Sequence, residues 1–195
     1  MKDIKNSISD EEILDLPLVS FDKEIFIIEH ESEIDEAFNY LINRQILGFD
    51  TETKPAFKKG QKNEVALLQL ASEERAYLFR LNKVRLNNQV KAILANKNIT
   101  KVGVAIKDDI IGLKRKSNFV PQSFVELQEL AKKSGIQNFS LQKLSAIVLG
   151  VRISKSKRLS NWELDVLNEA QLKYAATDAW MALEVYKSLM SQSFS

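Results

Sequence analysis

Hydrophobic positions along this chain fall in two patterns, short apolar runs in some stretches and a spacing of three to four residues in others. The first pattern marks strands: EIFIIEH (24–30), QILGFDTE (45–52), ITKVGVAI (99–106), and the pair VALLQLAS (65–72) and RAYLFRL (75–81), whose short spacing predicts a hairpin. The second marks helices. SEIDEAFNYLI (32–42) starts at Ser32 as N-cap, and NNQVKAILANK (87–97) starts at Asn87 or Asn88. KDDIIGLKRK (107–116) follows, then FVELQELAKKSG (124–135), stopped by Gly135, and SLQKLSAIVLG (140–150), between Ser140 and Gly150. KPAFKKGQKN (54–63) and VRISKSKRLSNW (151–162) are expected loops. Asn168 and Gln171 make an N-x-x-Q start for a last helix, from about Glu169 to Leu189. Residues 1–22 are expected as a loosely ordered acidic lead-in, with a short helix near EEILDL, before one domain over 23–195. This order predicts an α/β fold, a mixed central β-sheet flanked by α-helices.

Composition narrows the chemistry. The 195 residues are 45% hydrophobic and 28% charged, enough for one domain with a sizeable core. There is no cysteine, so disulfides, thiolate metal sites and cysteine nucleophiles are excluded. His30 is the only histidine, which rules out zinc sites built from several. Metal chemistry here must rest on carboxylates, whose oxygens select hard cations such as Mg²⁺ or Mn²⁺. No apolar run approaches the roughly 18 residues of a membrane span, and the first residues lack the basic-then-apolar order of a signal peptide. The expectation is a cytoplasmic protein away from membranes, with no small-molecule cofactor and no protein partner to infer.

The net charge of +2 conceals an asymmetry. Residues 1–36 hold 12 acidic and 3 basic side chains, and residues 37–195 hold 14 and 25. A basic body attracts polyanions, although charge runs also serve simply as solvated surface.

The acids fall at informative places. Asp50 and Glu52 stand at i and i+2 where a strand ends, so they share a face. Tyr174 and Asp178 stand at i and i+4 of the last helix, again one face. Asp108 and Asp109 follow the strand over 99–106. If that strand neighbours 45–52, the three groups converge. Converged carboxylates repel one another and lose solvation, and divalent cations remove that cost. Taken singly, each group has an ordinary explanation: a strand-end cap, a half-buried tyrosine, acids at a helix N-terminus.

FDTET, VGVAIKDD and YAATD, in that order, resemble the three motifs of the DEDD 3′–5′ exonucleases, which adopt the ribonuclease H-like fold. The tyrosine resembles the DEDDy subgroup, with ribonuclease D and the exonuclease domain of the Werner helicase. VALLQLAS, AYLFRL, FVEL, SLQKL and RLSNWE resemble further stretches of that subgroup, so the likeness spans about residues 24–190. The resemblance implies a 3′–5′ exonuclease acting on DNA or RNA 3′ ends and releasing nucleoside 5′-monophosphates with two Mg²⁺ or Mn²⁺ ions. It implies Asp50, Glu52, Asp109 and Asp178 as catalytic metal ligands and Tyr174 as the catalytic residue that orients water. Counting from Gly103-Val104-Ala105-Ile106 reaches Asp109, with Asp108 the alternative.

The resemblance also places Phe57 beside the terminal base, where it either stacks or packs under its own loop. Lys58 and Lys62, with Lys54 and Lys59, form one acid-free basic stretch. Arg158, with Arg152, Lys155 and Lys157, forms another. Phe57, Lys58, Lys62 and Arg158 are the expected nucleic-acid contacts, and Trp162 is expected as a core anchor. The competing class is a non-catalytic nucleic-acid-binding module, which has no need of the four acids and the tyrosine.

Overall fold

The structure, a computed structural model, describes residues 5–56 and 63–193. Six strands form one sheet: β1 (Glu24–Ile28), β2 (Ile46–Thr53), β3 (Val65–Ala71), β4 (Arg75–Arg80), β5 (Thr100–Gly103) and β6 (Phe124–Glu126). Their spatial order is β1-β4-β3-β2-β5-β6. The hairpin β3–β4 and the pair β2–β3 are antiparallel, whereas β1–β4, β2–β5 and β5–β6 are parallel, so the sheet is mixed. The parallel β2–β5 pairing lays KVG alongside LGF, so the segment that follows β5, with Asp109, comes beside the acid-bearing end of β2.

Helices α1 (Asp10–Leu14), α2 (Ile34–Leu41), α3 (Asn88–Leu94), α4 (Ile106–Lys116), α5 (Leu127–Lys133), α6 (Leu141–Leu149) and α7 (Glu169–Ser193) cover the sheet. One face packs Leu47, Phe49, Leu68, Leu70, Tyr77 and Phe79 into the largest core cluster, with α2, α3 and Leu113 of α4. The other face is closed by α7, which is capped as expected: Asn168 accepts from the Gln171 N–H at 3.0 Å, and Gln171 accepts from the Asn168 N–H at 3.1 Å. Gly48 lets α7 approach, because a Cβ there would lie 1.8 Å from the Ala179 carbonyl oxygen. No helix among the described residues is long and apolar enough to cross a membrane.

Several expected elements are corrected. Ser32 is not a helix N-cap. A short 3-10 turn over Glu31–Glu33 comes first, and the Glu33 carboxylate accepts from the N–H groups of Glu29 and His30. The strand expected over 99–106 ends at Gly103, and Ile106 already opens α4. Phe124–Glu126 pairs with β5 as a sheet edge before α5 starts, so FVE is strand rather than helix. Three residues are too few for a period to separate the two.

Residues 5–22 do not hang loosely. Ile8 and Ile13 pack on Ala146 of α6, and Phe21 is buried against Ala176 and Ala179 of α7. The Phe21 N–H donates to the Thr177 hydroxyl at 2.9 Å, beside Asp178. Arg152 donates from Nε to the Leu16 carbonyl at 2.9 Å, so it anchors this segment instead of facing a phosphate.

Candidate active site

β2 ends at the carboxyl edge of the sheet with its side chains alternating. Asp50 and Glu52 point to the α7 face, and α7 presents Asp178 to them. One carboxylate oxygen from each of Asp50, Glu52 and Asp178 lies within 4.8 Å of the others. Asp178 is buried, while Asp50 and Glu52 keep partial exposure. Among the described residues, no lysine or arginine pairs with any of the three.

The electrostatic consequence is large. Burial, then repulsion from Asp178, Glu52 and Asp109, holds the Asp50 carboxyl well above the usual carboxylate range. Glu52 is pushed up to about 9 by burial and by the charges of Asp178 and Asp109. Burial takes Asp178 up to about 7, against a lowering contribution from the Tyr174 hydroxyl. Tyr174 itself is shifted upward, first by burial and then by Asp178, so it remains a neutral O–H donor beside the carboxylates. Its ring rests on buried Trp162, with centroids 6.1 Å apart. A cluster this charged and this poorly compensated fits a divalent cation, the simplest group that lets all three carboxylates ionise together. The donor set, all oxygen, suits Mg²⁺ or Mn²⁺.

Asp109 stands apart from the three. Its Oδ1 accepts from the Thr51 hydroxyl at 2.5 Å, on the opposite side of β2 from Asp50 and Glu52. It is still near enough to repel both of them. Burial takes it up to about 6, with Thr51 acting in the other direction. Asp108 is exposed and makes no such contact, which favours Asp109 of the two.

Glu126 sets where Asp109 sits, and sequence patterns did not single it out. Its carboxylate accepts from the N–H groups of Ala105 and Ile106, both at 2.9 Å, and also from Gln128 at 3.1 Å. Ala105 is held at φ 59°, a left-handed conformation unusual for a residue with a side chain. That turn swings the chain from β5 into α4 and delivers Asp109 to the end of β2. The remote origin of Glu126 explains why no local signal pointed to it.

Arg80 performs the same service for the segment before α7. Fully buried, it pairs with Glu29 at 2.7 Å and donates to the carbonyls of Leu164 and Asp165. Trp162, in that segment, is fully buried as the expected anchor. Lys54 pairs with Glu163 at 3.4 Å, tying the loop after β2 to the same segment. Arg158 is exposed, and among the described residues no side-chain hydrogen bond or ion pair holds it. Phe57, Lys58 and Lys62 lie outside the described residues. Two clefts flank the acids. One, of about 410 Å³, runs from Thr51 and Asp109 past Pro55 and Ala56 to Arg115. The other, of about 170 Å³, lies between Tyr174, Lys173 and Ser154.

The chain belongs to the 3′–5′ exonuclease family, whose sequence pattern matches residues 25–193. It is thereby placed among hydrolytic exonuclease domains with a ribonuclease H-like fold. It is similar to the bifunctional 3′–5′ exonuclease/ATP-dependent helicase WRN of Mus musculus, 39% identical over 155 residues. That match covers 76% of this chain and only 11% of the mouse protein. The exonuclease domain of Nibbler from Aedes aegypti superposes with a TM-score of 0.81 at 23% identity, covering 90% of this chain and 93% of that one. The exonuclease domain of EXD2, in crystals soaked in Mn, has a TM-score of 0.52 and 28% identity, covering 87% and 90%.

Proposed function

We propose that this domain is a divalent-metal-dependent 3′–5′ exonuclease that hydrolyses DNA or RNA from the 3′ end and releases nucleoside 5′-monophosphates. The observation that supports it most is the group Asp50, Glu52 and Asp178, with one oxygen from each within 4.8 Å of the others and no basic partner among the described residues. The Mn soak of the EXD2 domain, a relative in fold and at 28% identity, is consistent with the metal class.

In this reading Asp50, Glu52 and Asp178 would hold divalent cations, with Asp109 on α4 as a fourth carboxylate. Such ions, when bound, would stabilise the attacking and leaving oxygens of an in-line displacement at phosphorus. Tyr174, one turn before Asp178 and kept neutral by burial, donates its hydroxyl to align the attacking water. The cleft past Pro55 and Ala56 to Arg115 receives the strand, and Arg158 approaches its phosphates from the exposed loop. Phe57 is kept as the proposed neighbour of the terminal base, with Lys58 and Lys62 as phosphate contacts; base stacking of this kind is worth about 1–3 kcal/mol.

Oligonucleotides labelled at either end, as matched DNA and RNA strands, test the proposal in Mg²⁺, Mn²⁺ or EDTA. The expected result is a ladder shortened from the 3′ end with metal and intact substrate with EDTA. Salt-sensitive retention without cleavage in any metal overturns it and leaves a binding module.

A further inference from the structure

Gln69 is out of place in its surroundings. It sits in the middle of β3, fully buried, among Leu67, Leu68 and Leu70. Among the described residues, neither its Nε2 nor its Oε1 has a hydrogen-bond partner. A buried amide left unpaired on both atoms is costly, and a leucine there would avoid the cost. The packing of the sheet therefore supplies no reason for it.

The strand register supplies one. Gln69 lies directly opposite Asp50 in the antiparallel pair of β3 and β2. Directly opposed residues leave the same face of a sheet, with Cβ atoms about 4.5–5.5 Å apart, within easy reach of a glutamine amide. That face is the one α7 closes, two residue pairs along from Gly48 and Ala71. The backbone at Thr51 favours the Asp50 carboxylate, against burial and the charges of Asp178, Glu52 and Asp109. Carboxylates that ligate metals are themselves held by hydrogen bonds, which decide which oxygen turns to the ion.

We propose that Gln69 is a positioning residue for Asp50, its Nε2–H group donating to the outer carboxylate oxygen while the inner one engages a divalent cation. The inference rests on reading the acids as a metal site. It adds to that site a residue that never touches the metal or the substrate.

Gln69→Leu and Gln69→Met remove the donor while keeping the volume nearly constant. Calorimetric Mn²⁺ titration and thermal unfolding, with and without Mn²⁺, are compared with wild type and with Asp50→Ala. The expected result is Mn²⁺ affinity weakened about 10- to 100-fold in both variants. Metal-free unfolding temperatures should equal or exceed wild type, because an orphaned amide has gone. Cleavage should fall at low Mn²⁺ and recover at high Mn²⁺. Unchanged Mn²⁺ affinity in either folded variant overturns the proposal. Wild type that binds no Mn²⁺ overturns the metal site itself, and this inference with it.

Discussion

The two faces of β2 are made by adjacent residues and behave as different materials. Leu47 and Phe49 enter the largest core cluster, and Phe49 meets Phe124 edge-on with ring centroids 5.1 Å apart. Gly48, Asp50 and Glu52, the residues between and beyond, face α7, where one side chain is missing altogether and two are acids. The first face gains stability by excluding water. The second gives that up, placing mutually repelling carboxylates where burial penalises their charge. The site is thus made by a local withdrawal of packing, for which the opposite face compensates.

The largest expected effect separates the two faces directly. Asp50→Asn or Asp178→Asn should lower the hydrolysis rate by about 10³-fold or more, since metal stabilisation is worth several kcal/mol and each 1.36 kcal/mol is about tenfold. Single-turnover assays check the rate. Above about pH 7, metal-free Asp50→Asn should unfold at a higher temperature than metal-free wild type, because a repelling charge has been removed. Phe49→Ala should show the reverse pattern. It should cost about 3–5 kcal/mol in urea unfolding, and the protein that remains folded should keep its rate.

The pH dependence sharpens the contrast. In the metal-free fold Glu52 is pushed up to about 9, Asp178 to about 7 and Asp109 to about 6. Unfolded carboxyls titrate at about 4. The folded chain thus keeps protons that the unfolded chain releases, and metal-free stability should decline as pH rises from about 4 to about 9. Divalent ions replace those protons. Mn²⁺ should therefore raise the unfolding temperature more at about pH 8.5 than at about pH 6, as scanning fluorimetry will report. An equal rise at both would place Mn²⁺ binding elsewhere. The smallest effect should come from Tyr174→Phe, which keeps the ring packing on Trp162 and loses only the hydroxyl. Its rate should fall about 10- to 100-fold with nucleic-acid affinity nearly unchanged.

Much of this was legible in the chain as written. Short apolar runs locate five of the six strands among the described residues, and caps such as Ser140 and the Asn168–Gln171 pair locate helix starts, because these signals act within a few residues. β6 was missed because three residues carry no period, and its strand character comes entirely from pairing with β5. Ser32 does not cap because the chain already turns at Glu31, inside a 3-10 turn whose Glu33 carboxylate accepts from the Glu29 and His30 N–H groups before it.

At the site, local sequence is enough to say which residue types face together: Asp50 with Glu52 by the two-residue repeat of a strand, Tyr174 with Asp178 by the turn of a helix. The folded chain adds that α7 lies over β2 closely enough to bring Asp178 to them, through the space left at Gly48. It also adds that Asp109 rests on Thr51, that Glu126 reaches across 20 residues to hold the turn before it, and that Gln69 lies opposite Asp50 with no partner among the described residues. The two differ in range. Backbone periodicity sets the direction of a side chain from its near neighbours, whereas burial, repulsion and hydrogen-bond partners depend on which distant segments the fold stacks beside it.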